Sequence, residues 1–180
     1  MKIIVLVKQV PEMERVKFDT EKGVINRKSA GVEINPFDLN ALEAAVQIKE
    51  EVGGHITAVS MGPSRAESTL KEAIARGADE GILITDRKFA AADTKATSYL
   101  LAKSLDHIGD FDLIIAGEKT VDGDTGQVGP ETAEYLDIPH ISYVTDIRNI
   151  EEGSLELISS IYNGQYVKKL HCPGLLTVTK

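Results

Sequence analysis

The sequence predicts an α/β fold, a doubly wound and mostly parallel sheet with an appended C-terminal β-meander. Three observations lead there. Short, nearly continuous apolar runs at residues 2–7, 55–60, 81–85 and 112–116 are too brief for helices and read as buried parallel strands. Between them lie longer segments whose apolar residues recur at helical spacing. Beyond Pro139 the texture changes to β-prone runs separated by Glu152-Gly153, Asn163-Gly164 and Pro173-Gly174.

Each element can be justified in turn. Residues 2–7 are a nearly unbroken apolar run, as at the centre of a parallel sheet, and Pro11 stops it. Residues 16–18 and 24–26 flank turn residues 19–23 and predict a small hairpin. Asn35 as N-cap and Pro36 at the first helical position open a helix whose stripe is Leu39, Leu42, Val46 and Val52. Gly53-Gly54 end it, and residues 55–60 form the second core strand, followed by Met61-Gly62-Pro63. Ala66, Leu70, Ala73 and Ile74 predict a helix over 64–76, with Gly77 at its C-terminal cap. Residues 81–85 make the third strand. Asp93 or Thr94 then caps a helix running through Tyr99, Leu101, Ala102 and Leu105 to Gly109. The strand 112–116 ends at Gly117, and Ala133 and Leu136 share the face of a helix over 130–136. Runs at 141–150, 155–162, 166–170 and 175–178 supply the meander.

This alternation predicts one domain over residues 1–180, with the meander inside it from about 141. Ligands of such Rossmann-like sheets sit off the carboxyl ends of the strands, where residues 6–9, 61–63 and 117–129 converge. The last of these holds Gly117, Gly123, Gly126 and Gly129 between a strand and a helix N-terminus, a geometry that presents bare N–H groups to phosphate. Neither standard glycine-rich nucleotide fingerprint is met, and the bland alternative is a simple turn at Val121-Asp122-Gly123-Asp124. Facing a phosphate, Asp122 and Asp124 would repel it; ribose hydroxyls, an adenine amino group or backbone N–H groups suit them better. A calcium loop fails because Ala133 stands at its twelfth position. On this reading a side chain at Gly129 occupies the space a phosphate approaches, so Gly129→Val should lose nucleotide.

Composition removes several classes of function. A formal charge of −8 argues against nucleic acid and anionic membranes, which need a basic face. Cys172 is the only cysteine, which excludes an intrachain disulfide and fits a reducing, cytoplasmic compartment. The first apolar run is too short for a signal peptide, and none reaches the length of a membrane span. His55, His107, His140 and His171 show no ligand spacing, so no metal is expected. No nucleophile–base pattern surrounds any Ser or Cys, and no catalytic residue is assigned.

The segments IIVLVKQVP, INPFD, AVSMGP, KEAIARGAD and AGEKTVDGDTGQVGPETAEYLDIP resemble, in order and over nearly the whole chain, the β subunit of electron transfer flavoprotein. VDGDTGQVGP and TDRKFAAADTKATSYLLAK resemble the electron-bifurcating subgroup, although that pattern has Ala where Gly126 stands. The resemblance implies a heterodimer with an α subunit, a redox-active FAD, and an adenine nucleotide in the β subunit. In ordinary members that nucleotide is a structural AMP; in the bifurcating subgroup it is FAD, which takes electrons from NADH. An acyl-CoA dehydrogenase or similar flavoenzyme would receive electrons.

Carried over residue by residue, the resemblance implies that Leu6, Asn35, Asp38 and Met61 surround the adenine half. Val121, Asp122, Gly123, Asp124, Thr125, Gly126, Gln127, Val128, Gly129 and Pro130 would hold phosphate and ribose. Asp93, Thr94 and Thr97 would hydrogen-bond the isoalloxazine. The two threonines share a helix face, though a capping aspartate and threonines bonding their own backbone account equally for the residues alone. The family continues into a C-terminal arm that embraces the α subunit; the sequence ends at Lys180, and weaker docking is expected without that arm. A stand-alone adenine-nucleotide sensor is the alternative of another class.

Overall fold

A computed structural model describes residues 1–15, 17–19, 24–26 and 31–179. The chain begins with β1 (Lys2–Leu6) and β2 (Gln9–Pro11), then the hairpin β3 (Lys17–Asp19) and β4 (Val24–Asn26), whose expected turn at 20–23 lies outside the described residues. β5 (Val32–Ile34) pairs antiparallel with β2 and leads into α1 (Pro36–Val52). β6 (His55–Met61), α2 (Glu67–Ala75), β7 (Glu80–Ile84), α3 (Thr94–Ile108), β8 (Leu113–Gly117) and α4 (Val128–Tyr135) follow. The chain closes with β9 (His140–Glu151), β10 (Ser154–Ile161), β11 (Gly164–His171) and β12 (Gly174–Val178).

Eight strands form one sheet in the order β11-β10-β9-β12-β8-β1-β6-β7. From β9 to β7 neighbours run parallel; β10 and β11 are antiparallel additions at one edge. Side chains alternate across β1 because successive Cβ atoms point to opposite faces. Ile3 and Val5 pack with Leu42, Ile48 and Leu70 of α1 and α2, while Ile4 and Leu6 pack with Leu101, Leu105 and Ala133 of α3 and α4. The sheet is therefore covered on both sides, which is why its central strands are apolar without alternation. From β1 the chain winds to β6 and β7, then returns through α3 to β8 on the other flank of β1. That reversal opens a crevice at the carboxyl ends.

The fold class is as expected, and one element sits elsewhere. β12 does not extend the meander. It inserts between β8 and β9, parallel to both, with Leu175 opposite Ile114. Its five residues are all buried, the mark of an internal parallel strand rather than a half-solvated meander strand.

Helix boundaries differ modestly. Ser64–Ala66 form a 3₁₀ turn ahead of α2. α4 starts two residues earlier than expected, so Pro130 is its third residue, still in the first turn where no intrahelical acceptor is required.

Candidate functional site

A cleft of about 570 Å³ lies off the carboxyl ends of β1, β6 and β8. Its floor is apolar: Leu6 at the end of β1 and Val7 beyond it, Val59 and Met61 of β6, Ala116 of β8 and Leu101 of α3. One wall is the segment after β8, from Gly117 through Thr120 and on to the start of α4. The opposite wall is Phe89, Ala91, Ala92, Asp93, Thr94 and Thr97.

Asp38 lies at the base, fully inside the protein, on the first turn of α1. Its Oδ2 accepts the Lys8 N–H at 2.8 Å. A Cβ at Gly117 would stand 2.5 Å from Asp38 Oδ1 and 2.7 Å from the Phe37 carbonyl carbon, so only glycine lets β8 end against this carboxyl. Burial pushes the Asp38 pKa up to about 7, against the pull of hydrogen bonds from Asn35, Lys8 and Gly117 and of the Lys8 charge.

The glycine-rich segment is tied from three sides. Asn35, at the N-cap position of α1, makes no side-chain cap. Its amide instead donates to Lys119 O at 2.8 Å and accepts the Val121 N–H at 3.1 Å. Lys8 Nζ reaches both carboxylate oxygens of Asp122, at 2.8 and 2.9 Å. Partial burial opposes ionisation of Asp122, but the Lys8 ammonium and the Thr120 hydroxyl hold its carboxyl below the usual range. Lys119 Nζ meets Asp124 Oδ1 at 2.7 Å, which raises the lysine above its ordinary value. Both aspartates are thereby neutralised by lysines that themselves line the cleft.

At the end of this wall, the N–H groups of Val128 and Gly129 belong to the first turn of α4 and have no intrahelical acceptor. Across the cleft, the Asp93 side chain accepts the Ala96 N–H at 2.8 Å and caps α3. Thr94 and Thr97 are half-buried one turn apart on the cleft side of that helix. Among the described residues no group of three or more His, Cys, Asp or Glu could hold a metal, and no helix is long and apolar enough to cross a membrane.

Comparison with known proteins places this architecture. The family model described as electron transfer flavoprotein domain matches residues 22–180. The electron transfer flavoprotein subunit beta of Thermoanaerobacterium thermosaccharolyticum is 44% identical over 180 residues, covering 100% of this chain and 68% of that protein. The chain belongs to the electron transfer flavoprotein β-subunit family. It is also 41% identical to the caffeyl-CoA reductase-Etf complex subunit CarD of Acetobacterium woodii, across 100% of this chain and 69% of that one. Protein FixA of Sinorhizobium fredii is 38% identical, over 99% of this chain and 65% of its own length. The family is one of flavoproteins in electron transport, and the chain's role is that of a β subunit.

Of the residues singled out from the sequence of this electron transfer flavoprotein β subunit, twelve line the cleft: Leu6, Asp38, Met61, Asp93, Thr94, Thr97, Gly123, Thr125, Gly126, Gln127, Val128 and Gly129. Asn35, Val121, Asp122 and Asp124 do not line it: Asn35 bonds to the backbone of the glycine-rich wall at Lys119 and Val121, and the two aspartates bond to lysines that line the cleft, while Pro130 lies within α4. Packing alone already requires glycine at position 129. A Cβ there would meet Thr177 Cγ2 at 2.7 Å, so the glycine serves the contact of α4 with β12. Gly129→Val would disrupt packing before it tested phosphate binding. Lys8 and Lys119 lie within the strand-end stretches 6–9 and 117–129 expected at the ligand, though neither was singled out there; both line the cleft, as do Gly117 and Phe89. Lys8 and Lys119 each stand two residues beyond a strand end, Leu6 of β1 and Gly117 of β8, and that position was the available signal.

Proposed function

We propose that the cleft holds FAD as an electron-bifurcating flavin, in a single nucleotide-binding unit spanning residues 1–180. One observation carries this reading. The cleft does not stop at the glycine-rich wall but continues to a second wall, Phe89 to Thr97, which AMP bound at the floor would leave uncovered. The volume falls within the usual range for small-molecule sites, and the donor set matches a dinucleotide from end to end. Leu6, Met61 and Asp38 would seat the adenine. Backbone N–H groups from Gly123 to Gly129, with Lys8 and Lys119, would meet the diphosphate. Thr94 and Thr97 would face the isoalloxazine edge.

Bound flavin supplies the redox chemistry; the chain's residues bind it, orient it and exclude water. On this reading the chain would hold that flavin in a heterodimer with an α subunit, as part of a carrier between NADH and an acyl-CoA dehydrogenase or similar flavoenzyme in a reducing, cytoplasmic compartment. The names of two relatives support that class of acceptor: a caffeyl-CoA reductase-Etf complex subunit, and the acryloyl-CoA reductase electron transfer subunit gamma of Anaerotignum propionicum. The test is calorimetry of the nucleotide-free chain with FAD and with AMP, alongside the visible spectrum of the FAD mixture. Tighter binding of FAD with a perturbed flavin spectrum is expected. AMP binding with no affinity for FAD would overturn the proposal in favour of a structural nucleotide.

A further inference from the structure

Glu131 lies in the first turn of α4 and reaches α3 rather than the cleft. Its Oε2 is 2.9 Å from Ser98 Oγ, and its Oε1 is 3.4 Å from Thr94 Oγ1. Ser98 is fully buried, with its hydroxyl 2.7 Å from Thr94 O and 3.2 Å from Lys95 O. One carboxylate thus spans two hydroxyls on successive turns of α3. Only Thr94 of these three residues borders the cleft.

An ionised carboxylate can only accept hydrogen bonds, whereas a threonine hydroxyl has one proton and two lone pairs. When Thr94 gives its proton to Glu131, its oxygen has only lone pairs left for the cleft. We propose that Glu131 is a positioning residue that makes Thr94 an acceptor, so that the ligand edge seated against it presents an N–H rather than a carbonyl. This inference rests on the reading that the cleft holds FAD. The pyrimidine edge of an isoalloxazine carries one imide N–H between two carbonyls, so an acceptor at Thr94 selects which atom of that edge it meets. Glu131 is not needed to hold the two helices together. Tyr99 of α3 and Tyr135 of α4 pack edge to face at 5.5 Å, and Leu101, Leu105 and Ala133 share one core.

The test uses Glu131→Gln in the full chain. Its amide can donate to Thr94, which frees the Thr94 proton to turn into the cleft. FAD and AMP are titrated into the unaltered chain, E131Q, T94V and the double variant, with spectra and reduction potentials of bound flavin recorded. Expected for E131Q is FAD affinity about tenfold lower, as for one misdirected hydrogen bond, a shifted flavin potential, and AMP affinity and thermal midpoint like those of the unaltered chain. In the T94V background the same substitution should add nothing, because Glu131 acts through Thr94. Unchanged FAD affinity and potential in E131Q would overturn the inference. So would equal loss of FAD and AMP, or an undiminished effect in T94V. Failure of the unaltered chain to bind FAD would instead overturn the proposed function, and this inference with it.

Discussion

Replacing Asp38 by Asn should change how the stability of this protein depends on pH. The carboxyl is buried at the base of the cleft, and its pKa rises from 3.8 to about 7 in the folded chain. Between those values the folded state holds a proton that the unfolded state has released. Stability therefore falls as pH rises through this window, because the unfolded state binds fewer protons there. Below the unfolded value no cost is felt; above the folded value it is complete. A shift of about three units corresponds to about 4 kcal/mol, at 1.36 kcal/mol per unit.

Asparagine keeps an oxygen for the Lys8 N–H, is nearly isosteric, and does not ionise. Urea unfolding of both nucleotide-free proteins at roughly pH 5, 6, 7 and 8 isolates Asp38, since the histidines and other carboxylates titrate alike in both. The stability of the natural chain relative to the variant should decline by about 1.4 kcal/mol per pH unit up to neutrality and then level. A difference that stays flat across the range would show that Asp38 titrates normally despite its burial. One that rises with pH would show that Lys8 and the three hydrogen bonds outweigh desolvation.

Gly117→Ala should lower stability by about 1–3 kcal/mol, the range for an added methyl that forces a shift in a packed site; an unchanged denaturant midpoint would show that Asp38 and Phe37 yield freely. Asn35→Ala removes both side-chain ties to the glycine-rich segment, so hydrogen exchange of the Val121 amide should quicken while the amides of β1 stay protected. Equal acceleration in both places would mean that Asn35 supports the whole fold rather than one wall. Thr94→Val combined with Thr97→Val should weaken FAD by about tenfold or more and leave AMP nearly unaffected in calorimetry. An equal loss of both ligands would make the two threonines structural.

Strands and helices of the parallel core were legible because each is declared by its own residues: an unbroken apolar run, a cap, a closing glycine. What the local pattern does not state is the partner. The run at residues 175–178 reads as β-prone in any position, and only its pairing with β8 and β9 makes it parallel. The lysine partners of Asp122 and Asp124 divide in the same way. Asp124 meets a lysine five residues back, but the partner of Asp122 lies 114 residues away at Lys8. The glycine count revealed the cleft wall, yet Gly117 and Gly129 are required by Asp38 and Thr177, which no spacing in the sequence places beside them.

These distant partners share a consequence for the site. The glycine-rich wall hangs from the last strand as much as from the one that precedes it. At its start, the Glu118 N–H donates to Val178 O at 2.9 Å. At its end, Gly129 lies against the Thr177 methyl, and Thr177 Oγ1 accepts the Tyr143 N–H from β9 at 3.2 Å. Asn40 of α1 donates to Thr179 O at 2.9 Å, which joins the helix bearing Asp38 to the same strand end. The antiparallel strands β10 and β11 thus lie on a detour that lets the chain return as β12 beneath the wall. Both ends of the wall are then fixed by a buried strand, which limits how far the segment between them can move.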